Sequence, residues 1–134
     1  MITLILGRKG SGKTKKLMAM CNEATQQSSG NVVFIEKDNT LTYDISHKAR
    51  LVAAEDYAIK GFESLYGYIA GMCAGNYDIT DIFVDSVLKI GGNDVAALVP
   101  FVEKLAKLDA NIVMSISADK SEIPAELAQL AQEI

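Results

Sequence analysis

Residues 2–6, ITLIL, run without a break into GRKGSGKT at residues 7–14, and no other feature of the sequence constrains the fold as much. A short run of branched apolar residues is the pattern of a strand buried on both faces. Gly7, Gly10 and Gly12 then allow a tight turn in which successive amides converge on one point. From Lys13 onward Leu17, Met18, Cys21 and Ala24 recur at helical spacing as far as Gln27, and Ser28, Ser29 and Gly30 stop the helix. Strand, glycine turn and helix in this order make a cradle for anions, because orphan amides and the positive end of the helix point the same way.

The spacing is that of a P-loop, GxxxxGK(S/T), and each fixed position has a job. Residues Gly7, Arg8, Lys9, Gly10, Ser11, Gly12, Lys13 and Thr14 are the expected wrapping for the β- and γ-phosphates of a nucleoside triphosphate. Lys13 adds a cation to the same oxygens, and the Thr14 hydroxyl is suited to Mg²⁺. Arg8 reaches either phosphate or a partner subunit.

The remainder alternates strand and helix signals. Residues 31–36, 50–54, 79–84 and 111–117 read as strands, and residues 62–74 as a helix with Leu65, Ile69 and Met72 on one side. Residues 40–46 alternate like a strand in polar, loop-like surroundings. After a turn at Gly91, Gly92 and Asn93, either Asn93 or Asp94 caps a helix running to about Leu108. Pro100 inside that pattern requires either a kink or a later helix start. Pro124 to Ile134 reads as a closing helix with Leu127, Leu130, Ala131 and Ile134 in one stripe. The expectation is one α/β domain over residues 1–134, a three-layer sandwich on a mostly parallel five-stranded sheet.

Charge narrows the partners. The chain carries 13 basic and 17 acidic residues, net -4, and its only arginines are Arg8 and Arg50, so a general nucleic-acid-binding face is not expected. The local basic cluster of Arg8, Lys9, Lys13, Lys15 and Lys16 coincides with the P-loop, which makes a triphosphate its simplest partner. Cys21 and Cys73 have no neighbouring cysteine or histidine that would suggest zinc or a redox pair. No apolar run is long enough for a membrane span, and a cytoplasmic location is expected.

A second carboxylate test is met at the end of strand 79–84, where Asp85 follows Phe83 and Val84. Ligands of open α/β sheets bind beyond the carboxyl ends of the strands, so Asp85 and the P-loop should share one rim, with Thr14 and Asp85 as the Mg²⁺ side. Asp81 falls toward the other end of the strand. IFVDSV at residues 82–87 and FIEKDN at residues 34–39 resemble segments of the RecA-like branch of P-loop ATPases. The resemblance implies ATP as the nucleotide and a water-orienting carboxylate at Asp38, with Glu36 as the near alternative, beside Lys13 as the catalytic cation. Where that branch has a sensor glutamine, near Ala118, this chain has Ser115, Ser117 and Asp119. It also lacks room for DNA-binding loops, since only residues 87–93 separate the fourth strand from the next helix.

Three functions remain to be separated: a slow Mg²⁺-dependent ATPase, a non-catalytic nucleotide-dependent interaction module, and a small-molecule kinase, the last disfavoured because no segment offers an arginine-rich lid. A protein partner or self-association is expected to supply what the site lacks. Gly67, Gly71 and Gly75 recur every four residues on one helical face, consistent either with close packing inside the protein or with a seam to a partner. Arg50 is either a finger acting in cis or an ordinary surface charge, and His47 carries no role.

Overall fold

The computed structural model describes residues 1–40 and 44–133. Among the described residues six strands form one all-parallel sheet: β1 (Ile2–Leu6), β2 (Asn31–Glu36), β3 (Ala49–Ala53), β4 (Ile79–Val84), β5 (Asn111–Ile116) and β6 (Ala131–Glu133), in the order β3-β2-β4-β5-β1-β6. Period-two alternation divides the strands between two apolar clusters. Ile5, Phe34, Phe83 and Val113 face one side, where Leu17 and Cys21 of α1 (Lys13–Gln27) cover them. Leu4, Ile35, Val84 and Met114 face the other, under α2 (Phe62–Gly75), α3 (Val87–Gly91) and α4 (Leu98–Leu105). The result is the expected three-layer sandwich. Burying each large apolar side chain contributes about 1.5–3 kcal/mol, so the two clusters supply most of the drive to fold.

Five of the strands occupy the regions read from the sequence, with β3 and β5 differing by a residue at their ends. The sixth replaces part of the expected closing helix. Residues 125–130 wind as a 3₁₀ segment after Pro124, and β6 then pairs in parallel with β1, Leu4 opposite Ala131 and Leu6 opposite Glu133. The free edge of β1 is the reason: unpaired amides and carbonyls on a central apolar strand are worth more when satisfied than three more residues of a terminal helix. Leu127 still buries its side chain, at 3% exposure.

Two further departures lie between β4 and β5. The short helix α3 occupies a stretch read as loop. Asp94, not Asn93, caps the next element by accepting from the Ala96 N–H at 3.1 Å, but what it caps is a 3₁₀ turn over Val95–Ala97. Helix α4 begins only at Leu98, so Pro100 falls in its first turn, where the missing N–H has no partner to lose.

The ambiguous stretch 40–46 includes residues 41–43, which lie outside the described residues. Its described end is tied to α1 by Asn22, which donates to the Asp44 carbonyl at 3.1 Å and accepts from the Ser46 N–H at 2.8 Å. Gly30 permits a close approach at the base of the sheet, since a Cβ there would sit 2.2 Å from the Asp78 carbonyl oxygen. Among the described residues no helix is long and apolar enough to cross a membrane.

Candidate nucleotide site

All six strands point their carboxyl ends to one rim, and the glycine-rich loop lies on it. The loop leaves β1 through a hydrogen bond from Gly7 N–H to the Ile116 carbonyl at 3.3 Å and closes a turn from Ser11 N–H to the Arg8 carbonyl at 3.0 Å. Gly10 and Gly12 hold φ of 86° and 93°, a conformation that a side chain would strain. A Cβ built on either would meet nothing within 4 Å, so the space in front of the loop is open, as a cradle for a ligand requires. The Ser11 hydroxyl is buried there without a hydrogen-bond partner among the described residues.

Lys13, at 6% exposure, is the first residue of α1. Burial pulls its ammonium below the ordinary lysine value, Asp85 opposes that pull, and the nearby charge of Lys89 reinforces it. An ammonium held this way gains from a polyanion that restores its lost solvation.

Asp85, at 9% exposure, stands immediately beyond β4 on the same rim. Its Oδ1 accepts from the Thr14 hydroxyl at 3.0 Å and from the Ser115 hydroxyl at 2.9 Å. Ser86 Oγ is 3.4 Å from Oδ2. Ser115 is fully buried on β5 and also accepts from the Ser86 N–H at 2.6 Å. The strand order explains the arrangement: β5 lies between β1 and β4, so a polar residue near its tip can touch what both neighbours carry. The structure therefore brings Thr14 and Asp85 together, two hard oxygen donors of the kind Mg²⁺ uses when phosphates and water complete its shell. No group of three or more His, Cys, Asp or Glu side chains that could hold a metal ion occurs among the described residues.

A cavity of about 340 Å³ fronts these groups. Lys9, Gly10, Lys13 and Thr14 form one wall, and Ser86, Lys89 and Asn93 face them from the α3 side. Ser117, just past β5, also lines it.

The two carboxylates named after β2 separate. Glu36 ends the strand at 2% exposure, on the α1 face by the alternation that puts Phe34 there, and Asp85 follows Phe83 on that same face. Asp85 N–H bonds the Ile35 carbonyl at 2.9 Å, so the two strand ends are neighbours. Glu36 Oε1 accepts from the Thr40 N–H at 3.1 Å and its hydroxyl at 3.2 Å. Asp38 is exposed, two residues farther along the departing chain.

Arg8 turns away from the loop and forms an ion pair with Asp119, which also closes a capping box with Glu122. The aspartate hydrogen bond and charge raise the Arg8 pKa. Arg50 lies near the start of β3, the end opposite the rim, and donates to the Tyr57 hydroxyl at 3.2 Å. The glycines of α2 face open space, with nothing within 4 Å of a Cβ at Gly67, Gly71 or Gly75, so they serve no packing inside the protein.

Lys89 had no place in the sequence reading. Val87 and Ile90 are buried one helical turn apart, which leaves Lys89 exposed on the rim side, but a helix of five residues gives no periodic signal in the sequence.

No protein-family model matches the sequence, and no curated protein is significantly similar to it. Solved structures do match. The conjugation coupling protein TcpA of pCW3, in its monomer form with ATPγS, superposes with a TM-score of 0.58 at 16% identity, covering 96% of this chain and 46% of that one. Domain III of the replication initiation protein DnaA from Thermotoga maritima superposes with a TM-score of 0.54 at 16% identity, over 99% of this chain and 54% of that one. The chain thus spans about half the length of these structures. Its fold, an α/β layering on a six-stranded parallel sheet, is the one these P-loop NTPase structures share.

Proposed function

We propose that this chain binds ATP and hydrolyses it slowly in a Mg²⁺-dependent reaction. One observation carries the reading: the hydroxyl of Thr14 is hydrogen-bonded to Asp85, next to buried Lys13, at the mouth of a glycine-rich loop on the ligand-binding rim. Amides of residues 7–14 and the Lys13 ammonium hold the phosphate oxygens, and the adenine preference follows the ATPγS-bound structural neighbour. Thr14 and Asp85 would hold Mg²⁺, which when bound neutralises charge on the β- and γ-oxygens.

The water-orienting carboxylate belongs to the tip of β2. We assign it to Glu36 ahead of Asp38, because Glu36 shares the face and rim of Asp85 while Asp38 is exposed. Turnover is slow for an electrostatic reason. The cavity has lysines but no arginine among its described lining residues, and an arginine finger contributes about 10³–10⁵ in rate. A second reading, an interaction module governed by nucleotide, draws on the same gap: a protein partner or another copy would complete the site, and the exposed glycine face of α2 offers a surface for it.

Lys13→Ala tests the reading directly. Triphosphate affinity measured calorimetrically should fall by at least about 100-fold, roughly 2.7 kcal/mol, while far-ultraviolet circular dichroism is unchanged. Equal affinity in the folded variant rejects it.

A further inference from the structure

The rim carries a second hollow, of about 400 Å³, within the size range of small-molecule sites, roughly 300–1,000 Å³. Three segments that follow neighbouring strands form its walls: Lys37 after β2, the stretch from Glu55 to Lys60 after β3, and Lys89 with Ile90 on α3. Main-chain hydrogen bonds brace them. Glu55 N–H bonds the Lys37 carbonyl at 3.0 Å, Ile59 N–H the Ala54 carbonyl at 3.0 Å, and Gly61 N–H the Ile90 carbonyl at 2.8 Å. Ile59 and Ile90 are buried beneath it, so the hollow has a fixed floor.

Its charge is one-sided. Lys37, Lys60 and Lys89 surround it, against the single carboxylate of Glu55, 4.0 Å from the Lys37 ammonium. The excess is about two positive charges, in a chain whose net charge is -4. Lysine ammonium groups are compact point charges suited to phosphate, and an anion entering the concavity gains from all three at once.

The backbone adds an independent sign. Among the described residues only two non-glycine residues adopt left-handed φ, Ala58 at 56° and Ser86 at 52°. Ser86 lines the nucleotide cavity, and Ala58 lines this one. Alanine has no side-chain hydrogen bond to offset that conformation, and strain of this kind concentrates at ligand sites.

We propose that this second cavity binds a small molecule bearing a phosphate dianion, and that Lys89, which lines both cavities, couples its occupancy to that of the nucleotide site. Lys89 lines the nucleotide cavity together with Lys13 and Thr14 of the P-loop, and it lines the second cavity together with Lys37 and Lys60. An anion that draws Lys89 into the second cavity takes a cation from the nucleotide phosphates, so each ligand weakens the other by the same factor. Binding in the second cavity goes beyond the ATPase reading and stands without it; only the coupling rests on that reading.

The test uses inorganic phosphate as probe and the Lys13→Ala protein, in which the P-loop is disabled. Backbone amide shifts are followed by nuclear magnetic resonance at constant ionic strength. Saturable shifts at Ala58, Ile59, Lys60 and Lys89 are expected, with affinity reduced roughly tenfold when Lys37→Ala and Lys60→Ala are added. Both lysines are exposed, so their removal should not disturb folding, and circular dichroism checks it. Shifts confined to residues 7–14 of the wild-type protein, an unchanged affinity in the triple variant, or no saturable shift around Ala58 overturns the site. Because ATP is not used, failure of the ATP reading shows separately, in the calorimetric experiment.

Discussion

The tips of β4 and β2 are adjacent on the sheet, yet they hold their carboxylates in different ways. At β4, Asp85 is fixed by hydroxyls that arrive from α1 and from β5, so its position is set before any ligand is present. At β2, Glu36 is buried but bonded to Thr40 of its own departing loop, and the chain then runs outward through exposed Lys37 and Asp38. A carboxylate gripped by separate elements is positioned by the fold as a whole. One bonded to its own departing loop depends also on where that loop sits.

The largest effect should come from the rigid tip. Asp85→Asn keeps the hydroxyl acceptor but removes the charge, so hydrolysis should fall on the order of 10³-fold and Mg²⁺ should no longer improve nucleotide affinity. Magnesium dependence that survives the change breaks the contrast at once. Next comes the β2 tip. Glu36→Gln should lower turnover about 10²-fold, while Asp38→Asn stays within about threefold. The reverse ranking would move the carboxylate to Asp38 and make the loop, not the strand end, the working part.

Ser115→Ala should act least. It deletes one bond to Asp85 and leaves the Ser86 N–H unpaired, which costs about 1–3 kcal/mol of stability by chemical denaturation and a few-fold in Mg²⁺ affinity. Restoration of both by Ser115→Thr would show that the hydroxyl, not the packing, sets the β4 tip.

Much of this was legible because its signals are local. The bounds of β1, β2 and β4 follow from short, mainly apolar runs, those of α1 from helical spacing stopped at Ser28, Ser29 and Gly30, and the P-loop spacing names its own chemistry. The C-terminal segment was misleading for the opposite reason. Leu127, Leu130 and Ala131 satisfy a helical stripe, and only the unpaired edge of β1, more than a hundred residues earlier in the chain, decides for a strand. Helix α3 has five residues, too few for periodicity to register, and with it Lys89 escaped notice. Ser115 was visible as a polar residue in the buried run NIVMSI, but its partners become known only once β5 is seen to separate β1 from β4. Asp38 matched a family position by counting residues, whereas exposure separated it from Glu36.

The sheet order also bears on the sequence of events during synthesis. The strand that leads into the P-loop has as its neighbours β5 and β6, which leave the ribosome last among the six strands, so β1 must wait for contacts far along the chain. Such distant parallel pairings form slowly. The β2–β3–β4 half can therefore pair before β5 and β6 flank β1, so the strand that carries the glycine-rich loop is among the last of the six to gain its neighbours.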